Sequence, residues 1–180
     1  MRIVINDFIR ADGIPAKEFV KIETPDYVEV LPFDPTTGEV VLICQFHWGV
    51  GAPLIKLPAG KVKSGQSPLQ AARSELREEA GVEGEIFPLK TVYDIPMWYS
   101  ATAHHFMAFV DANEYAAQRL DEDEEIAVIV APIGEVYKAI MERDPLTSDT
   151  ALNLAVLFAI QSGFIDPKFL TPQEVTPTQE

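Results

Sequence analysis

The chain has one cysteine among its 180 residues and half as many basic side chains, 14 Lys and Arg, as acidic ones, 28 Asp and Glu. A lone thiol excludes a disulfide framework, so the fold has to be held by its core. Cys44 lies in the apolar run "EVVLICQF" and reads as a buried, inert thiol in a reducing compartment. The shortage of cations leaves a formal net charge of −14. That balance argues against a nucleic-acid partner, because such affinity rests on clustered Lys and Arg displacing counterions from phosphates. No run is apolar enough to span a bilayer, and the opening "MRIVINDFIRADG" lacks the basic segment, apolar stretch and cleavage site of a signal peptide. The expectation is a soluble cytoplasmic protein with no membrane partner.

What the chain does have is apolar content, 47%, enough for one substantial core. "DYVEVLPF" and "EVVLICQF" are rich in β-branched and aromatic residues, and the turn formers "DPTTG" between them predict a hairpin. Further strands are expected over Glu85–Tyr93, His104–Asp111 and Glu125–Pro132, and helices over Pro68–Ala80, Ile133–Glu142 and Asp149–Ser162. Strands outnumbering and preceding the long helices imply an α+β fold with a mixed sheet packed between helices. Residues 1–25 read as a small strand-rich arm, 26–168 as the main domain, and 169–180, with the polar "TPQEVTPTQE", as a loose tail.

The helix expected from Pro68 has a full set of boundary signals. Ser67 is a good N-cap, Gln70 completes a capping box, Pro68 suits the first turn and Gly81 ends it. On a 3.6-residue period Leu69, Ala72, Leu76 and Ala80 gather on a core side, and Glu75, Glu78 and Glu79 fall on the other. The 75/78 and 75/79 pairs repel, each by about 0.2–0.5 kcal/mol, in the turns where the macrodipole also disfavours anions. Local stability would not select this. Two readings stand: a solvated acidic face, or a divalent cation site, since Mg²⁺ takes several carboxylate oxygens and offsets their repulsion. The upstream "LPAGKVKSG" can bring backbone groups close to such an ion and to a phosphate.

The stretch from Gly60 to Val82 resembles the signature of the Nudix hydrolases: Gly60, Glu75, Leu76, Glu78, Glu79, Gly81 and Val82 stand in register, while Gln66 and Ser74 occupy the usual Glu and Arg positions. The likeness covers roughly residues 20–165 and is strongest to the ADP-ribose and nucleoside-diphosphate-sugar pyrophosphatases, through "CQFHWGVGAPLIKLPAG", Pro96, "RLDEDEEIAVIV" and "DPLTSDTALNLAVLFAI". It implies a Nudix fold, an α/β/α sandwich, and Mg²⁺-dependent (Mn²⁺ possible) hydrolysis of the diphosphate of a small nucleotide-sugar substrate. It implies Glu75 and Glu79 as metal ligands and catalytic residues, with Glu78 and the Ala59 carbonyl as further ligands. Glu124 is the implied general base and an additional ligand, with Glu122 and Glu125 as alternatives. It also implies a homodimer formed through the N-terminal strands.

On the substrate side, His47 stands where the related branch has an arginine, and Lys56 where it often has Glu. Lys56 suits a phosphate contact or an ordinary exposed strand. Pro96 takes the place of the proline associated with ADP-ribose-type substrates; Trp98 and Tyr99 suit stacking on a base or ribose, or sealing an interface. His104 and His105 have no Cys partners or spaced second His for zinc, and "GVG" at 49–51 reads as a turn. Gln66 and Ser74 can hydrogen-bond but cannot form an ion pair, so a second class of function stays open: a Nudix-fold binding or regulatory module with weak or lost catalysis.

Overall fold

The first two strands, β1 (Arg2–Ile9) and β2 (Pro15–Glu23), form an antiparallel two-stranded arm. A computed structural model of the chain describes residues 1–120 and 125–171. Phe8 and Phe19 meet edge to face across the arm at 5.7 Å, yet most of its other apolar side chains are exposed. The arm joins the rest of the molecule at Ile22, whose N–H donates to the Trp98 carbonyl at 2.6 Å and whose carbonyl accepts from Ser100 N–H at 3.2 Å.

The main sheet comprises β3 (Tyr27–Phe33), β4 (Glu39–His47), β5 (Ala52–Lys56), β6 (Ala59–Lys61), β7 (Gly84–Val92), β8 (Ala103–Val110) and β9 (Ile126–Pro132). Its path runs β5-β4-β3-β8-β7, with β6 beside β3 and β9 beside β4; β3 and β8 are parallel and the other pairs antiparallel. The turn of the expected hairpin forms, with Gly38 at φ +79° and Asp34 Oδ1 accepting the Thr36 N–H at 2.7 Å. Its strands, however, pair only at Phe33 and Val40. The edge of β3 that β4 would have continued along is taken by the chain after β5. Val30 N–H donates to the Pro58 carbonyl at 3.0 Å, and Glu29 stands opposite Ala59. β5 and β6 are short and flanked by Pro and Gly, so they carry little strand signal of their own.

Among the described residues three α-helices cover the sheet: α1 (Pro68–Glu79), α2 (Ile133–Met141) and α3 (Thr150–Gln161). Alternation along β3 and β8 divides the core between its two faces. Val28, Val30, Phe106 and Ala108 pack with Ala72, Leu76 and Ala80 at α1, while Leu31, Phe33 and Met107 pack with Ile133, Val136, Leu152 and Val156 of α2 and α3. Helices on both faces give the α+β sandwich expected. A buried Leu such as Leu76 contributes about 1.5–3 kcal/mol.

Four expectations need correction. Leu69 is 40% exposed and Ala71 takes its place in the core, because the buried stripe of α1 is turned toward Ala71 and Ala72. Glu79, assigned to the outer face, is buried at 2%. Cys44 is only half-buried, since Phe46 and Trp48 beside it frame an open cleft. Phe169, assigned to the tail, packs edge to face on Phe33 at 5.7 Å and lies over Gly38, where a side chain would collide with its ring. Residues 172–180 of that tail lie outside the described residues.

Candidate active site

The start of α1 is fixed as its sequence dictates. Ser67 Oγ accepts the Gln70 N–H at 3.2 Å, and Gln70 Oε1 accepts the Ser67 N–H at 2.8 Å. At its other end Gly81 adopts φ +70°, a conformation that favours glycine. Between these ends α1 presents Glu75 and Glu79 to the glycine loop. The Ala59 N–H donates to Glu79 Oε2 at 2.7 Å, a charge-assisted bond that offsets the desolvation of a buried carboxylate. Glu75 lies against Gly60, and a Cβ at Gly60 would collide with the Glu75 carboxylate. Glycine at this position leaves the carboxylate end of Glu75 its place against the loop backbone. Glu78 is partly buried, and its carbonyl accepts the Arg119 N–H at 2.9 Å.

Gln66 holds the loop before the helix. Its Oε1 accepts the Lys63 N–H at 3.1 Å and its own N–H donates to the Lys63 carbonyl at 3.0 Å. A glutamine therefore serves this turn without a positive partner, and Ser74 stands partly buried on α1.

The donor set near Ala59 suits a hard divalent cation: two carboxylates, Glu75 and Glu79, meet on one glycine loop. Among the described residues no three His, Cys, Asp or Glu side chains converge on one point. Glu122 and Glu124 lie outside the described residues. Glu125 is described and exposed, and it lines the cleft with Cys44, Phe46, Trp48 and Ala127.

His47 and Lys56 come together on one face of the β4–β5 pair. Ile43, Gln45 and His47 alternate on that face, Lys56 is the cross-strand partner of Ile43, and Lys56 Nζ donates to Gln45 Oε1 at 2.9 Å. Burial pulls the His47 imidazole below its ordinary value; the Lys56 ammonium acts in the same direction and Asp149 opposes it. A neutral imidazole beside a cation can both donate and accept, which suits hydroxyls and phosphate oxygens. Pro96, Trp98 and Tyr99 are held elsewhere. Their segment is bonded to Ile22 of the arm, and Trp98 and Tyr99 N–H both donate to the Ile95 carbonyl. The structure thus brings them to the junction of arm and core.

His105, set aside above as a zinc ligand, is buried against Glu29, a residue with no expected role. Glu29 on β3 faces its parallel neighbour His105, with 3.1 Å between Glu29 Oε2 and His105 Nδ1. Burial, reinforced by Asp149 and Asp94 and opposed by Lys56, pushes the Glu29 carboxyl up to about 8. Burial also lowers His105, against the pull of Asp94 and Asp149. Both shifts favour the uncharged forms, as expected for a pair removed from water. The register Glu29↔Ala59 puts this pair beside the loop that bonds Glu79.

Comparison with known proteins agrees with this geometry. The NUDIX domain profile matches residues 24–149. The chain is 26% identical over 156 residues to an ADP-ribose pyrophosphatase of Bacillus subtilis, covering 86% of this chain and 83% of that protein. It is 25% identical over 158 residues to a methanol dehydrogenase activator of Bacillus methanolicus, covering 87% and 84%. A crystal structure of an ADP compounds hydrolase shares its fold with a TM-score of 0.73 at 19% identity, over 87% of this chain and 82% of that one. Because the NUDIX match takes in well over half of the chain, with the glycine loop and all of α1, the chain belongs to the NUDIX family.

Proposed function

We propose that this Nudix hydrolase is a Mg²⁺-dependent pyrophosphatase that splits ADP-ribose or a related nucleoside-diphosphate sugar into a nucleoside monophosphate and a sugar phosphate. The observation that carries the reading is the seat of α1 on the glycine loop, with Glu79 bonded to the Ala59 N–H and Glu75 packed where Gly60 has no side chain. The Bacillus subtilis relative, an ADP-ribose pyrophosphatase by name, supports the substrate class.

Mg²⁺, or Mn²⁺, when bound would supply neutralisation of phosphate charge and a more acidic water. Glu75, Glu79 and the Ala59 carbonyl would hold it, with Glu78 beside them and Glu124 contributing from the acidic run. Glu124 takes the proton of the attacking water, Glu122 and Glu125 being the neighbouring candidates for the same task. The water oxygen joins one phosphorus, the bridging P–O bond breaks, and the leaving phosphate carries away the electron pair. His47 and Lys56 meet phosphate or sugar oxygens, while Pro96, Trp98 and Tyr99 border the base where the arm joins the core. The arm, residues 1–25, pairs two chains into a homodimer, and the protein works in the cytoplasm.

The test is incubation with Mg²⁺ and a panel of ADP-ribose, nucleotide sugars, diadenosine polyphosphates and nucleoside triphosphates. The expected result is release of a nucleoside monophosphate and a sugar phosphate from the first two classes. No metal-dependent turnover of any compound would leave the second reading, a ligand-binding or regulatory module. Two observations favour that alternative: Gln66 and Ser74 carry no charge where the family pattern has an ion pair, and one relative of similar likeness is named an activator.

A further inference from the structure

A helix C-terminus leaves its last carbonyls without donors from within the helix. At α1 the segment Ala116–Arg119 supplies donors to two of them, at Glu78 and Glu79, and to Gly81 just beyond the helix. Ala116 N–H donates to the Gly81 carbonyl at 2.7 Å, and Arg119 N–H donates to the Glu78 carbonyl at 2.9 Å. Between these, Gln118 Nε2 donates to the Glu79 carbonyl at 2.5 Å. The two flanking bonds use backbone donors that almost any residue provides. The central one depends on a single side chain. The same Nε2 lies 3.5 Å from the carbonyl of Ile126, the first residue of β9. One amide therefore links the last residue of α1 to the strand that follows the acidic run.

Glu79 is consequently fixed from two directions. The Ala59 N–H holds its carboxylate at 2.7 Å, and Gln118 holds its carbonyl. The Glu79 backbone anchors the side chain whose carboxylate the loop holds, so releasing the carbonyl frees the last turn of α1 and loosens the seat of the carboxylate on the loop. We propose that Gln118 is a positioning residue for Glu79, setting that carboxylate for the divalent cation. This rests on the metal-binding reading of Glu75 and Glu79 given above. Gln118 touches neither substrate nor metal; it acts through the backbone of Glu79.

The test compares Gln118→Ala, Gln118→Glu and Gln118→Arg in the full chain. Glu matches Gln in shape, but when ionised it only accepts, and it adds a negative charge at a helix C-terminus. Arg keeps N–H donors and brings a charge that suits the same place. Mn²⁺ binding is measured by electron paramagnetic resonance of the free ion, at a temperature where circular dichroism shows every variant folded. The kcat and KM for ADP-ribose are measured beside it. The expected result is Mn²⁺ affinity weakened roughly 10-fold in Gln118→Ala and Gln118→Glu, the size typical of residues that orient metal ligands. Their kcat falls, KM at saturating metal holds, and Gln118→Arg stays close to the unsubstituted protein. Unchanged Mn²⁺ affinity in Gln118→Glu would overturn the proposal, as would an Arg variant that loses as much as Ala. If the unsubstituted protein binds no Mn²⁺, the metal reading itself fails and takes this inference with it.

Discussion

Along the arm Ile3, Ile5 and Ile9 are 65%, 66% and 73% exposed, whereas at the end of α1 a carboxylate, Glu79, is 2% exposed. Each region inverts the usual placement of side chains, and each inversion calls for a partner. For Glu79 the partners lie within the chain: Ala59 N–H for its carboxylate and Gln118 for its carbonyl. For the arm, the contacts within the chain centre on Ile22 and the segment Trp98–Ser100. The seat of the Glu79 carboxylate is thus made by groups of one chain. An exposed apolar ribbon marks a surface that a second chain can complete, which is the proposed homodimer.

The contrast can be broken or sharpened by substitution. The largest effect on stability is expected from Leu76→Ala on the buried side of α1, at about 2–5 kcal/mol, measured by denaturant unfolding. Next, Gly60→Ala should separate folding from activity. The added Cβ meets only the movable end of Glu75, so the melting temperature should change little. Hydrolysis should still drop by about 100-fold, or about 2.7 kcal/mol, because the carboxylate is displaced from the loop. Equal losses of stability and rate would show that Gly60 serves the fold and not the site.

A smaller effect belongs to the pair beside that loop. The Glu29 carboxyl titrates at about 8 in the folded chain against an ordinary 4.5, so the folded state holds a proton that the unfolded state has released between those values. Stability therefore falls as pH rises through this window. His105, lowered from 6.5, contributes in the opposite direction only below its ordinary value. Melting from pH 6.5 to 8.5 should accordingly show a fall that Glu29→Gln flattens; parallel profiles would contradict the assignment. The smallest effect on the protomer is Ile5→Ser in the exposed arm, within about 0.5 kcal/mol. The same change should shift sedimentation toward monomer.

Much of this was legible in the residues, for identifiable reasons. The capping box at Ser67 and Gln70 and the glycine at 81 bound α1, and these are short-range signals that packing did not override. The pairing of Glu75 and Glu79 with the "LPAG" loop was legible through the resemblance of the stretch from Gly60 to Val82 to the Nudix signature, since spacing alone left a solvated acidic face open. The burial of Glu79 was not, because periodicity ranks faces by composition and has no account of a backbone N–H arriving from another strand. Glu29 failed for a related reason. In "YVEV" a glutamate alternating with valines reads as a solvent face, but helices cover this sheet on both sides. Gln118 stands in the aperiodic "NEYAAQRL", where nothing local announces which carbonyl its amide meets. Contacts made between distant segments are the information that a local pattern cannot carry.

The proposed metal-dependent hydrolysis rests on the two carboxylates seated on the glycine loop. Its most direct test is ADP-ribose hydrolysis in Mg²⁺, followed by phosphorus NMR, by the unsubstituted protein and by Glu79→Gln side by side. The account predicts two phosphomonoester products from the first and a rate lower by at least about 100-fold from the second, since an amide cannot replace an anionic ligand. Hydrolysis that persists undiminished in Glu79→Gln would contradict it.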